Sequence, residues 1–317
     1  MRDLGRILWL CLFSTLTGNA QDKNLGIVQG LSSNYVLSIS QDHRGLLWFA
    51  TEDGLNRFNG NSFQVYRKSP NGMSANELNK VFTDPQENHL WIATQRAGLL
   101  RYDLGTETFK NYRTDKNNPS SLITDDVTDI SAAKDGNLWI STYHRGVDYL
   151  DKSSETFTHY NSSTVPGLPN DKTWTAKEDQ KGNLYIGQTN EGLSILNIKT
   201  KRVRRFKNVP GDPHSLPGNT VRAIFFDASG NAWIGTSEGL ALFDEELGTF
   251  TVFRHDPQRS ESLSANYVYS IGLLADGRLW IGTEKGGINL LDLKKNMFSG
   301  SHSARFDKLP ALTGQTV

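Results

Sequence analysis

One pattern returns six times along the chain, and it constrains the fold more than any other feature. It reads DHRGLLWFAT over Asp42 to Thr51, HLWIAT over His89 to Thr94 and DGNLWIST over Asp135 to Thr142. It continues as KGNLYIGQT over Lys181 to Thr189, SGNAWIGT over Ser229 to Thr236 and DGRLWIGT over Asp276 to Thr283. The aromatic residue of each copy is Trp48, Trp91, Trp139, Tyr185, Trp233 and Trp280, at spacings of 43, 48, 46, 48 and 47. A fixed period of this length is the mark of a propeller or a solenoid.

Each unit divides into four short β runs. In the last full unit, Tyr267–Leu273 is the first strand, a turn at 275–277 follows, and Leu279–Thr283 is the second. Ile288–Asp292 is the third, and Thr249–Arg254 of the preceding unit shows the alternation of a fourth. Asp-Gly and Gly-Asn pairs between β-rich runs are hairpin signals. No segment carries a helical period. The expected fold is therefore all-β: a β-propeller of four-stranded antiparallel blades. The recurrent aromatics are expected to pack between neighbouring blades, where a large flat ring buries much apolar area.

A second recurrent element precedes each first strand. It is LSSNYV at Leu31–Val36, MSANEL at Met73–Leu78, LPGNTV at Leu216–Val221 and LSANYV at Leu263–Val268. Leu312–Val317 (LTGQTV) matches it again, 49 residues after Leu263. The repeats are thus expected at about 31–72, 73–121, 122–167, 168–215, 216–262 and 263–311, with a further blade starting at 312–317. This predicts six blades plus the first strand of a seventh, a truncated seven-bladed propeller. A complete six-bladed ring with a short tail is the rival. Phe298–Leu309 matches a fourth strand poorly, so Asn24–Val28 is a candidate outer strand for the last blade.

Residues 1–20 read as a signal peptide: Arg2 and Arg6, the apolar run Ile7–Phe13, then small residues at Gly18 and Ala20. The run is too short to span a bilayer comfortably. The mature propeller would be 21–317, exported and periplasmic. Its one cysteine, Cys11, would be lost with the leader, leaving no disulfide or thiol chemistry. Basic and acidic residues balance at 34 each without a like-charged block, so nucleic acid is not an expected partner.

These units resemble the two-component regulator propeller repeat, roughly D-x-x-G-x-L-W-I-G-T followed by x-x-G-L-x-x-x-D. The resemblance rests on Asp227–Thr236 with Gly239–Asp244, on Asp42–Thr51 with Gly54–Phe58, and on the opening Gly30–Val36. It implies the periplasmic sensor region of a hybrid two-component system histidine kinase, where two seven-bladed propellers usually precede a β domain, a membrane helix and kinase modules. It also implies ligands derived from polysaccharide breakdown. The 317 residues carry none of the membrane or kinase parts, so an N-terminal fragment supplying part of the sensing is expected. The membrane, and a homodimer, would be reached only through the parent receptor.

Ligand contacts are expected where the units differ. The turns between second and third strands vary: Glu52-Asp53, Gln95–Ala97, Tyr143–Arg145, Asn190-Glu191, Ser237-Glu238 and Glu284-Lys285. Variation on a constant scaffold is where specificity is placed. Arg96, Tyr143, His144 and Arg145 fall on adjacent blades as a basic, aromatic patch, suited to a carboxylate or sulfate and to a sugar ring. The residues opening each first strand, Tyr35, Glu77, Asp126, Lys172, Thr220 and Tyr267, should ring the channel mouth, with Trp174 close by. The seven histidines show no metal-type spacing, and no nucleophile-elbow or phosphate-loop pattern appears, so neither catalysis nor a cofactor or metal is expected. A scaffold for protein partners, and more remotely a propeller lyase, stay open as alternatives.

Overall fold

The structure, a computed structural model, describes residues 25–274, 276–293 and 297–300. The expected leader at 1–20 and the seventh-unit start at 312–317 lie outside these residues.

Six four-stranded antiparallel sheets follow one another along the chain, each a simple meander. Blade one comprises Val36–Gln41, Leu47–Thr51, Gly54–Phe58 and Phe63–Tyr66. Blade two comprises Leu78–Thr83, His89–Thr94, Leu99–Asp103 and Thr108–Tyr112. Blade three runs through Val127–Ala132, Leu138–Thr142, Gly146–Asp151 and Thr156–Tyr160, and blade four through Thr173–Glu178, Asn183–Gln188, Gly192–Asn197 and Val203–Phe206. Blade five holds Val221–Phe226, Ala232–Thr236, Gly239–Asp244 and Thr249–Phe253, and blade six Val268–Leu273, Leu279–Thr283, Gly287–Asp292 and Met297–Gly300. Strands a to d are named in that order. The a strands of successive blades touch, so they are innermost and the blades form a ring, a β-propeller.

One expectation is corrected. The outer strand of blade six is Met297–Gly300, paired with Gly287–Asp292. Ile27–Gln29 is instead a single 3₁₀ turn, closed by the Gln29 N–H donating to Gly26 O and ended by Gly30 at φ 104°. A left-handed residue at that point turns the chain away from an extended course.

The repeat's residues each have a mechanical reason. The motif Asp caps the a–b turn and accepts from the indole six residues on: Trp48 Nε1 donates to Asp42 at 3.0 Å and Trp233 Nε1 to Asp227 at 3.1 Å. The motif Thr closes the b–c turn, its hydroxyl donating to a glycine carbonyl, as from Thr94 to Gly98 at 2.7 Å. Gly98 has φ 86°, and a Cβ there would lie 2.2 Å from Tyr112 O. Its N–H donates to Asp125 O of the next unit. The Asn of the second element ties its own loop: Asn76 Oδ1 accepts from Lys68 N at 2.7 Å and Asn266 Oδ1 from His255 N at 2.7 Å.

Trp48, Trp91, Trp139, Tyr185 and Trp233 are at most 3% exposed. Each packs on the following blade: Trp48 in a cluster with Leu78, Val81 and Ile92, and Trp233 in one with Ile271 and Ile281. Trp280, expected to do the same, is only partly buried. Blade one shows the complementary face. Val36 and Ile39 are 36% and 44% exposed, whereas their counterparts Leu78 and Val81 in blade two are fully buried. Among the described residues, then, the ring has five packed junctions and a seam between blade six and blade one.

Candidate functional site

Every a strand carries a register shift between its first and third residues. The residue between them is a bulge, released from the alternation that turns strand residues toward one sheet face or the other. In chain order the six are Leu37, Asn79, Thr128, Trp174, Arg222 and Tyr269. Because the a strands are innermost, these side chains reach from blade to blade around the channel. Asn79 Nδ2 donates to Val127 O at 2.7 Å, and Thr128 Oγ1 to Thr173 O at 3.1 Å.

On the other half of the ring the bulges build an aromatic row. The Arg222 guanidinium lies 3.5 Å from the centre of the Trp174 ring and 5.1 Å from that of Tyr269. Tyr269 stacks on Tyr267 with centroids 4.6 Å apart. Trp174 meets Tyr143 at 4.8 Å, and Tyr143 meets His144 at 4.1 Å. The row thus runs from blade three to blade six at the end of the channel where the b–c turns emerge. Burial pushes the Arg222 pKa below the ordinary arginine range, and the phenols of Tyr267, Tyr269, Tyr143 and Tyr35 pull it back. The buried Trp174 Nε1 has no hydrogen-bond partner.

Further along the a strands lies a charged layer. Asp129 accepts from Thr175 Oγ1 at 2.7 Å, with Lys80 Nζ at 3.7 Å and Lys177 Nζ at 3.9 Å. Burial pushes the Lys177 ammonium below the lysine range, against the pull of Asp129. Two cations face one carboxylate there. Among the described residues no three His, Cys, Asp or Glu side chains are grouped as a metal would need.

The expected residues separate into two groups. Tyr143, His144, Trp174 and Tyr267 come together in the row, and Tyr35, 62% exposed, lies within electrostatic reach of Arg222. Arg96, Arg145 and Lys172 are exposed, and among the described residues none of their side chains makes an ion pair or ring contact with the row. Arg222 and Tyr269 were not anticipated. The signal was present: both occupy, in their own units, the position that Trp174 occupies in unit four.

A ring of meandering blades around an axis, with its variable side chains gathered at one mouth, defines the class as a β-propeller. The family model described as two component regulator propeller matches residues 30–53, 121–144, 215–238 and 262–285, which are strands a and b of blades one, three, five and six. Those four blades carry the two-component regulator propeller repeat. Blades two and four depart from it: unit two has no Gly in its a–b turn, and unit four has Tyr185 and Gln188 for the motif Trp and Thr.

The chain is similar to the extracellular domain of a putative hybrid two component system from B. thetaiotaomicron, with 48% identity and a TM-score of 0.77 over 87% of this chain. A putative one component system's extracellular domain from the same organism matches at 19% identity and TM-score 0.60 over 81% of this chain and 38% of that one, a likeness of fold alone. Histidine kinase P4 of Formosa agariphila is 39% identical over 77 residues, 22% of this chain. The chain spans 36% of the first of these structures and 6% of the kinase.

Proposed function

We propose that this propeller is the extracytoplasmic ligand-sensing module of a two-component signal-transduction receptor, and that it binds a carbohydrate-derived ligand at the channel mouth. The observation that carries the reading is the row from His144 through Trp174 and Arg222 to Tyr267, supplied by four successive blades. Rigid strands hold rings and one polar fork around an opening, the arrangement expected of a small-molecule site. Aromatic faces suit the C–H faces of sugars, and the half-buried N–H donors suit their oxygens. The likeness to an extracellular domain of a putative hybrid two component system and the match to the two component regulator propeller model support an exported sensor.

Titration calorimetry against a panel of neutral and acidic oligosaccharides tests the reading, with Trp174→Ala as the control. Binding that disappears in the variant is the expected result. Silence of the folded protein across the whole panel would remove the carbohydrate assignment.

A further inference from the structure

The geometry points to Arg222 as an anion-recognition residue: we infer that its guanidinium receives the carboxylate or sulfate group of an acidic oligosaccharide at the channel mouth. The inference rests on the ligand reading above and adds the chemical class.

Arg222 stands apart from the other arginines. Eight of them pair with carboxylates: Arg44, Arg57, Arg67, Arg101, Arg113, Arg204, Arg205 and Arg278. Arg222 is more enclosed than a surface side chain, yet among the described residues it has neither an ion pair nor a side-chain hydrogen bond. Its contacts are the faces of Trp174 and Tyr269. A guanidinium has five N–H donors, and enclosing them unpaired is costly. Stacking on an indole offsets part of that cost and leaves the N–H edge free. A planar fork held 3.5 Å from the centre of a ring is restrained in a way that suits a two-point contact with a carboxylate or sulfate.

The surroundings favour an anion. The groups with the strongest electrostatic pull on Arg222 are phenols, which donate hydrogen bonds to an oxyanion. The Lys80, Asp129 and Lys177 layer adds net positive charge along the channel. No acid forms an ion pair with Arg222 among the described residues; Glu284 acts electrostatically on the neighbouring Tyr269, while Glu77 and Asp126 open blades two and three.

The test uses the whole propeller with three sets of oligosaccharides matched in length: uronate-bearing, sulfated and neutral. Wild type, Arg222→Met and Arg222→Lys are compared by calorimetry and by thermal melting. At least one acidic set binds wild type, and which one binds separates carboxylate from sulfate. Arg222→Met weakens that binding about 10–100-fold, the range for losing a hydrogen bond to a charged group. Arg222→Lys loses less, keeping charge without the fork. Ligand-free Arg222→Met melts no lower than wild type, which a structural role for the guanidinium would not allow. Equal binding of the neutral set, unaffected by Arg222→Met, overturns the anion assignment and leaves the carbohydrate reading standing. Absence of binding in all three sets overturns both.

Discussion

Trp48 Nε1 donates a 3.0 Å hydrogen bond to Asp42 Oδ2, whereas the equivalent Trp91 Nε1 is buried with no partner. The difference lies in the turn. Unit two has one more residue between its Asp84 and its Trp than unit one has between Asp42 and Trp48, and Asp84 pairs with Lys152 at 2.7 Å. Both indoles are at most 1% exposed. Trp48→Phe should therefore cost about 1–2 kcal/mol more than Trp91→Phe, the size of one buried hydrogen bond. Urea unfolding of the two variants measures the difference. Equal losses would mean that the Asp42 contact contributes nothing to stability.

Gly98 and Gly287 occupy the same place in their blades and both have positive φ, 86° and 71°. A Cβ at Gly98 meets the Tyr112 carbonyl, and one at Gly287 meets nothing within 4 Å among the described residues. Gly287→Ala should cost about 1–2 kcal/mol, the left-handed penalty alone. Gly98→Ala should cost clearly more, since backbone must also move. Thermal melts of the pair read the gap.

His159 joins strand d of blade three to the loop before that blade. Its Nδ1 donates to Asp148 Oδ1 at 2.7 Å and its Nε2 to Pro119 O at 2.9 Å. Acceptors at both nitrogens favour the imidazolium form, and the Asp148 bond raises the His159 pKa above the ordinary histidine range. A raised pKa supplies stability that is complete below the unfolded value and is lost as pH climbs through the folded one. Burial also raises Asp148, against the pull of His159, so both shifts carry the same sign. The urea midpoint should fall between pH 6.5 and the alkaline side of neutrality, and His159→Gln should flatten that fall. An unchanged slope in the variant would assign the pH dependence elsewhere.

At the seam, no sheet among the described residues covers Trp280 as blade six covers Trp233. Trp233→Ala should cost about 3–5 kcal/mol, as expected for a buried Trp, and Trp280→Ala about half of that or less. Equal costs would show that Trp280 is covered in solution.

Much of the fold was legible because a fixed period leaves few choices. Once the aromatics at 48, 91, 139, 185, 233 and 280 share one strand, the turns on either side follow. The site was legible only in part. Tyr143 and Trp174 stood out as odd residues on a regular scaffold, and the structure joins them. Arg222 sits between Val221 and Ala223 and reads as an ordinary outward polar residue in an alternating strand. The bulge takes it out of that alternation, and its one mark in the sequence is that Arg222 aligns with Trp174. Arg96 and Arg145 drew notice for their charge, but both are exposed on their turns and stand apart from the row.

The bulge has a further consequence for how such a module can change. Its residue falls outside the regular pairing of the ladder, so one side chain per unit is excused from the alternation that binds the others. Leucine, asparagine, threonine, tryptophan, arginine and tyrosine occupy that place on six otherwise similar frames. A new specificity can be written there without rebuilding a blade, much as keys of different cut share one blank.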